Sequence, residues 1–391
     1  MNYKVVLSAV AVIGLVLLLN YKPSNLKQGI SNDEILLGQS CALSGPAKNL
    51  GVEFKNGADA YFNYINGSGG VYGRKIKLIS LDDKYEPSYA TKNTKELITK
   101  DKVFALFGEI GTPTSKAAIR VAEQHNIPFL TPFTGAEILR DTKYEFIINF
   151  RSSYFQETEA LVEYLVSKNI TKISVFYQND SYGKAGYDGV TQALAKRNLK
   201  LLSEGRYRRN TLSYINALNI IHKSKPEAIV LIGAYKPSAY FIKDAREKGL
   251  VDTIFCNISF VGSEALVQAL DKKMQNVLIS QVVPLPWNSS NESVIEYQRI
   301  YKKEFPSKEY SFVSLEGFLS AKLVVSAMQK SGKNIDRKNF INAFRRLDKS
   351  IFGDMEISFG KDDNQALDSV YITKYENDAF VQLSKSMKKN D

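Results

Sequence analysis

Histidine and cysteine are scarce in this chain, which has 391 residues but only two of each. His125 and His222 lie in helical sequence, and no H-E-x-x-H, C-x-x-C or G-x-S-x-G motif occurs. Their absence argues against metal-dependent hydrolysis and against serine-type catalysis. We therefore expect a protein with no catalytic residues, no metal and no cofactor. Cys41 and Cys256 are either a disulfide pair or two buried thiols, and the sequence leaves both open.

The positive charge of the chain is high but dispersed. The formal net charge is +11 and the pI is about 9.2, which raises the question of nucleic-acid binding. The basic residues are scattered, however, and the densest groups are only residues 206–209 and 385–389. We predict a solvated basic surface and no nucleic-acid partner, and weak attraction to an anionic membrane stays open.

An uncharged apolar run covers residues 5–19 and follows Lys4. Fifteen residues suit the apolar core of a signal peptide better than a membrane span, which needs about 20. No small-x-small cleavage site follows, so an uncleaved anchor is the alternative. We assign residues 1–31 to a signal peptide or anchor plus linker, and expect an exported protein that is periplasmic or at the cell surface, with or without a tether.

Strand and helix patterns alternate along the rest of the chain, which predicts an α/β fold with parallel sheets and right-handed crossovers. No internal repeat or low-complexity tract interrupts them. The predicted strands cover 35–39, 76–81, 103–107, 128–131, 172–177, 228–232 and 253–257, and the predicted helices cover 52–65, 115–125, 157–167, 185–197, 213–224 and 238–248.

Polar turns follow three of the predicted strands, at 44–46, 108–115 and 131–136. Open α/β sheets bind ligands beyond the carboxyl ends of their strands. The second turn opens a helix, whose free N–H groups favour an anion, with Thr112 and its neighbours supplying hydroxyls. These residues predict a carboxylate site, unless the hydroxyls only cap the helix.

Motifs spread over nearly the whole chain are similar to those of one family. They are LSGP (43–46), INGSGGVYGR (65–74), LDD (81–83) with Pro87 shortly after, GTPTS (111–115), PFTGAE (132–137), NFRSSY (149–154), QNDSYG (178–183), SFVGS (259–263) and EGF (316–318). In this order they resemble the type I periplasmic binding proteins, in the branch of the leucine/isoleucine/valine-binding protein of ABC importers. The resemblance implies a clamshell of two Rossmann-like lobes joined by three crossover strands. It assigns 32–151 and 282–351 to the N-terminal lobe, and 152–281 and 352–391 to the C-terminal lobe.

The resemblance also implies a ligand site between the lobes. In the first lobe, hydroxyls and backbone N–H groups hold the ligand carboxylate, while tyrosines of the second lobe close over it. The matching positions are Thr112, Thr134, Gly135 and Ala136 in the first lobe, and Tyr182 and Tyr235 in the second.

One position departs from the amino-acid binders of the family. They carry an acidic residue, which neutralises the ligand ammonium, where this chain has Ser259. Either Glu109, Glu137 or another carboxylate substitutes, or the ligand is not an α-amino acid.

We favour a ligand that is not an α-amino acid: an organic or aromatic carboxylate, or an amide. Thr112, Arg151, Tyr154 and Tyr182 are then the residues that hold it, with Ser259 lining the cleft. Arg151 has two open roles, a charge-assisted bond to the ligand or a salt bridge in the hinge.

These inferences predict the monomeric substrate-binding component of an ABC importer, which presents a small-molecule ligand to a membrane permease and its ATPase. The alternative keeps the fold and makes the chain a ligand-sensing ectodomain that signals to a separate partner.

Overall fold

The computed structural model describes residues 28–288, 290–360 and 362–384. Its first sheet has five parallel strands in the order β2-β1-β3-β4-β5. Every residue of the first strand after Glu34 is buried, as expected for a parallel sheet that helices cover. The strands are β1 (Glu34–Cys41), β2 (Lys75–Asp82), β3 (Ala105–Phe107), β4 (Phe129–Leu130) and β5 (Ile147–Ile148).

The second sheet has seven strands in the order β12-β11-β10-β9-β8-β6-β7. Its strands β6 to β10 are parallel, whereas β11 and β12 form an antiparallel hairpin beside β10. The strands are β6 (Ile173–Gln178), β7 (Glu204–Tyr207), β8 (Ala228–Ile232), β9 (Ile254–Asn257), β10 (Val277–Gln281), β11 (Tyr371–Glu376) and β12 (Ala379–Gln382).

Helices connect the strands and cover both sheets. They are α1 (Lys48–Gly67), α2 (Pro87–Thr99), α3 (Thr112–Gln124), α4 (Tyr154–Ser167), α5 (Ser181–Ala195), α6 (Ile215–Ser224), α7 (Tyr235–Glu247), α8 (Ser263–Ala269), α9 (Glu292–Glu304), α10 (Phe312–Ser331) and α11 (Arg337–Phe344). We call the first sheet with α1–α3 and α9–α11 the first lobe, and the second sheet with α4–α8 the second lobe.

A close crossing of α1 and α10 ties the later part of the chain to the first lobe. An added Cβ on Gly57 would lie 1.9 Å from the carbonyl oxygen of Ser314, and one on Gly317 would lie 2.1 Å from that of Phe54. Only glycine permits this backbone approach. The chain therefore crosses between the lobes after β5, after β10 and before β11.

The predicted α/β alternation is confirmed, with two kinds of difference. Some elements were not among the strands and helices predicted from the pattern: β5, β7, β10, β11 and β12, and α2, α8, α9, α10 and α11. Several helices also begin earlier than the pattern indicates: α3 begins at Thr112 rather than at 115, and α4 at Tyr154 rather than at 157. The predicted residue boundaries of the lobes stay a prediction.

The two cysteines are free, buried thiols in different sheets, Cys41 at the end of β1 and Cys256 in β9. Their disulfide is therefore not formed. The predicted apolar segment 5–19 lies outside the described residues. Within the described ranges, no helix combines the length and the apolar character that crossing a membrane requires.

Candidate functional site

The carboxyl ends of the parallel strands in both sheets face one cleft. From the first lobe, the segments after β2, β3 and β4 bring Tyr85, Thr112 and Phe133 to it. From the second lobe, the segments after β6 and β9 bring Tyr182 and Phe260. This is where the sheet topology predicts a ligand site.

The N-terminus of α3 and the turn after β4 form the first wall of the site. The Thr112 and Thr134 hydroxyls lie 2.7 Å apart, and the backbone N–H of Ala136 donates to the Thr134 hydroxyl at 3.3 Å. Gly111 precedes the helix at φ 92°, a conformation that favours glycine. The structure thus joins residues from two separate turns into one donor surface.

The hydroxyls of α3 do not cap the helix, which was the alternative interpretation. The residue before the helix, Gly111, provides no side-chain cap, and the Thr114 hydroxyl donates to the carbonyl oxygen of Gly111 at 3.0 Å. Helix N-termini leave their first N–H groups without intrahelical partners, and Pro113 has no N–H to offer. The N–H groups of Thr112 and Thr114 are therefore the ones that an anion at this terminus would meet.

Gly135 and Tyr154 fit together closely beneath that surface. The Tyr154 N–H donates to the Gly135 carbonyl oxygen at 2.6 Å, and a Cβ on Gly135 would lie 2.6 Å from ring atom Cδ1 of Tyr154. The tyrosine is fully buried, and its hydroxyl has no hydrogen-bond partner among the described residues. Burial raises the pKa of Tyr154 to about 12, although the Arg151 cation acts in the opposite direction. The tyrosine is therefore a neutral donor at the site.

Arg151 lies completely buried where the chain first crosses between the lobes. Its Nε is 3.3 Å from the Glu316 carboxylate, and its Nη2 donates to the Ser259 hydroxyl and lies 4.0 Å from Glu157. The guanidinium carbon is 4.4 Å from the centroid of the Phe133 ring. Arg151 thus makes the hinge salt bridge that was one of its two open roles.

These contacts do not use all of the N–H donors of the Arg151 guanidinium. Nη1 of Arg151 has no hydrogen-bond partner among the described residues. Burial alone would lower the pKa of Arg151, but Glu316 and Glu157 outweigh it and raise the pKa. A permanently charged donor therefore stays available beside the Tyr154 hydroxyl and the threonine pair.

Ser259 is already engaged by protein groups. Its N–H and its hydroxyl donate to the two Glu157 carboxylate oxygens at 2.8 and 2.9 Å, and Ser280 donates to the same carboxylate at 2.6 Å. The predicted cleft residue is thus a link between Glu157 and Arg151. The pKa of Glu157 is raised, because the effect of burial exceeds the opposing effects of Arg151 and of these donors.

Of the two named substitutes for the missing acidic residue, Glu109 is poorly suited to that role. Glu109 is fully buried, and burial, with the nearby Asp83 charge, raises its pKa well above the ordinary value. Glu137 begins the 3-10 turn Glu137–Leu139 after Ala136 and is half-buried. A carboxyl that burial drives toward its neutral form offers little charge to an ammonium.

Aromatic rings from both lobes form the remaining wall. Ring centroids are 5.5 Å apart for Tyr154 and Tyr182, 4.5 Å for Tyr182 and Phe260, and 5.7 Å for Phe133 and Phe260. The first lobe contributes Phe133 and the second contributes Tyr182 and Phe260, so the lobes touch across the cleft. Tyr235 begins α7 and takes no part in these ring contacts within the described chain.

Several residues of this site were not among the predicted site residues, namely Tyr85, Phe133, Phe260, Glu157 and Glu316. Both glutamates lie on apolar helix faces, Glu157 in phase with Tyr154 and Leu161, and Glu316 beside Leu315. A charged residue within an apolar stripe is the signal that points to a buried pair.

The family model of the periplasmic binding proteins matches residues 34–379. The chain belongs to that family. This periplasmic binding protein falls within the leucine/isoleucine/valine-binding branch of the type I fold. Its family consists of solute-binding proteins rather than enzymes, and membership implies export to the periplasm.

Relatives and solved structures agree with the family assignment. The crystal structure of a possible leucine/isoleucine/valine-binding protein from Rhodopirellula baltica is 34% identical, with a TM-score of 0.85 over 92% of this chain and 98% of that one. A Leu/Ile/Val-binding protein homolog 7 from Brucella abortus is 24% identical over 76% of this chain and 77% of its own. A fatty acid ABC transporter substrate-binding protein from Thermomonospora curvata shares the fold, with 20% identity, a TM-score of 0.82 and coverage of 94% and 96%.

Proposed function

We propose that this periplasmic binding protein captures a small solute that bears a carboxylate on an apolar body, and delivers it to the permease of an ABC importer. The observation that carries the proposal is the donor set on one side of the cleft: the Thr112 and Thr134 hydroxyls, the Tyr154 hydroxyl and the free Nη1 of Arg151. All of them suit an anion, and the adjoining aromatic rings suit an apolar body.

The charges around the cleft favour a solute without an ammonium group. Glu157 accepts from Ser259 and Ser280, and Glu316 faces Arg151, so both nearby carboxylates already have partners. To reach either carboxylate, a buried ammonium would have to displace these partners, and its own desolvation carries a large free-energy cost. We therefore infer an aliphatic or aromatic acid, or an amide, as the ligand class.

The named relatives are compatible with this inference at the level of the carboxylate. Their names refer to leucine, isoleucine, valine and fatty acids, which share a carboxylate joined to an apolar chain. Only the amino acids add an ammonium. The difference gives a direct test with matched solutes.

Thermal unfolding of the purified protein with leucine, 4-methylpentanoate and 3-methylbutylamine separates the two charged groups. The second compound is leucine without its ammonium, and the third is leucine without its carboxylate. We expect 4-methylpentanoate or a related acid to raise the melting temperature, because a ligand at 100 times its Kd stabilises the native state by about 2.7 kcal/mol. A benzoate and benzamide pair extends the screen to aromatic acids and amides.

The response should depend on the predicted donors. Thr112→Val and Tyr182→Ala should each abolish the shift, whereas Thr99→Val, at an exposed position of α2, should leave it unchanged. A shift with leucine but none with any acid lacking the ammonium would contradict the ligand class. A shift with the amine would contradict carboxylate recognition itself.

Delivery to a permease is tested separately, by transport of the identified acid in cells that lack or carry this gene. N-terminal sequencing of the exported protein distinguishes a cleaved signal peptide from a retained tether. An intact Met1 on the exported protein would favour the tether.

A further inference from the structure

A charged cluster joins the two lobes at the rim of the cleft. Nη2 of Arg209, in the segment after β7, lies 2.7 Å from Oε2 of Glu86, the residue that precedes α2 in the first lobe. Nδ2 of Asn210 donates to the other Glu86 oxygen at 2.7 Å and to the Lys84 carbonyl oxygen at 3.3 Å. Both oxygens of one first-lobe carboxylate are therefore held by second-lobe donors.

Arg209 is also held within its own lobe. Its Nη1 lies 3.1 Å from Oδ2 of Asp180, which precedes α5. Asp180 accepts from the N–H of Tyr182 at 3.0 Å and from the Gln178 side chain at 2.7 Å. The rim cluster thus connects directly to the helix start that carries a proposed ligand residue.

The same hydrogen-bond network contacts the first lobe at a second residue, Tyr85. The Gln178 side chain donates to the Tyr85 hydroxyl at 3.2 Å and accepts from the Tyr207 hydroxyl at 3.1 Å. Tyr85 is buried, and its ring lies 6.0 Å from that of Phe260. The rim cluster and the aromatic wall therefore form one continuous set of contacts.

We propose that Arg209 is an interlobe latch, a positioning residue that holds Glu86 in the closed form and fixes the start of α5. Asp180 orients the Arg209 guanidinium within the second lobe. When the lobes close, Glu86 therefore meets N–H donors that are already in position. Less side-chain entropy is lost on contact when one partner is already fixed. Opening breaks the contacts with Glu86 and keeps the one with Asp180. The latch requires no particular ligand, so it stands apart from the proposed solute.

The distance between the lobes in solution tests the latch without any ligand. Spin labels at Lys92→Cys on α2 and Gln192→Cys on α5 lie on exposed positions of opposite lobes. Both native cysteines are fully buried, so labelling is selective. Double electron–electron resonance then gives the ratio of closed to open molecules for each variant.

We expect Arg209→Gln and Glu86→Gln each to lower the closed-to-open ratio about threefold to fivefold, as for a well-oriented ion pair near the surface. The double variant should fall no further, because each change removes the same contact. High salt should lower the ratio of the wild type and leave that of the variants unchanged. Arg208→Gln is the matched control, since it removes the same charge from an exposed neighbour.

Two results would overturn the latch. One is a wild-type protein with no closed population; the other is a Glu86→Gln protein with the wild-type ratio. Glu86→Gln keeps the contact between Arg209 and Asp180, so it remains informative if Arg209→Gln does not fold.

Discussion

A second contact between the lobes predicts that the stability of this protein depends on pH. Glu264, on α8 of the second lobe, accepts the backbone N–H of Phe312 at 2.9 Å, and Phe312 is the first residue of α10 in the first lobe. Burial raises the pKa of Glu264 to about 7; the charge of Glu53 adds to this effect and the Phe312 N–H opposes it. Lys308 lines the same groove between the lobes. Its charge acts on Glu53, whose pKa it lowers against the effect of burial.

The direction of the pH effect follows from the raised pKa of Glu264. The folded protein binds this proton more tightly than the unfolded chain, whose carboxyl has the ordinary value of 4.5. The stabilisation is therefore complete below about pH 4.5 and is lost as the pH rises through about 7. The full difference between the pKa values of Glu264 in the folded and the unfolded protein corresponds to about 3 kcal/mol in the free energy of unfolding. Because the side chain is only half-buried, we expect about 1–2 kcal/mol after solvent screening.

Glu264→Gln tests this reasoning, because the amide can still accept the Phe312 N–H and has no proton to lose. We expect the variant to match the wild type at pH 5 and to exceed its free energy of unfolding by about 1–2 kcal/mol at pH 8. Urea unfolding at both pH values measures the difference. Burial raises the pKa of Asp83 to about 6 and that of Glu316 to about 7. Both groups are present in the wild type and in the variant, so they contribute the same pH dependence of stability to each. The difference between the two proteins therefore reports on Glu264.

The control for Glu264→Gln is Glu123→Gln, which removes one negative charge from an exposed helical position. That protein should follow the wild type at both pH values. The reasoning is refuted if Glu264→Gln is less stable than the wild type at pH 8, or if the two differ equally at pH 5 and pH 8.

Two further predictions concern steric fit and the thiols. Gly135→Ala should abolish the ligand-dependent thermal shift and lower stability by about 1–3 kcal/mol, because the new methyl group meets the Tyr154 ring; Gly67→Ala, where an added Cβ meets no atom within 4 Å, should do neither. Ellman's reagent should titrate Cys41 and Cys256 only after denaturation, because burial raises the pKa of both thiols, that of Cys256 to about 12; rapid reaction of the native protein would contradict their burial.

The alternation of strand and helix patterns was enough to predict a layered α/β fold, but not the strand β7 at the edge of the second sheet. Strand β7 is four residues long and lies at the end of the second sheet. Glu204 is half-buried and Arg206 is exposed, so the strand lacks the apolar run that indicates a central strand. Polar residues are expected where one side of a strand meets solvent. The position of β7 explains why its sequence resembles a loop.

The predicted helix starts were late in the helices that begin with predicted site residues. The first turns of α3, α4, α5 and α7 contain Thr112, Tyr154, Tyr182 and Tyr235, and the helical apolar pattern begins only after them. First turns have free N–H groups and tolerate proline, glycine and hydroxyl residues. Residues chosen for a ligand at a helix N-terminus therefore weaken the helical signal at the same place.

Contacts between residues far apart in the sequence could not be predicted, for another reason. The contacts of Arg151 with Glu316 and of Phe133 with Phe260 join residues more than a hundred positions apart. No local pattern specifies which partner a buried charge or ring will find. The family resemblance supplied positions such as Thr112 and Thr134, but not the carboxylates that neutralise Arg151.

The role of Ser259 shows how these long-range contacts bear on ligand choice. A carboxylate does lie beside Ser259, but Glu157 turns its oxygens toward the serine and Ser280, 4.0 Å from Arg151. A solute ammonium would compete with Arg151 for the same oxygens and would approach a like charge. A solute carboxylate would instead meet the unpaired Nη1 of Arg151. Serine at position 259 and the buried Arg151 therefore both support the proposal of a ligand without an ammonium group.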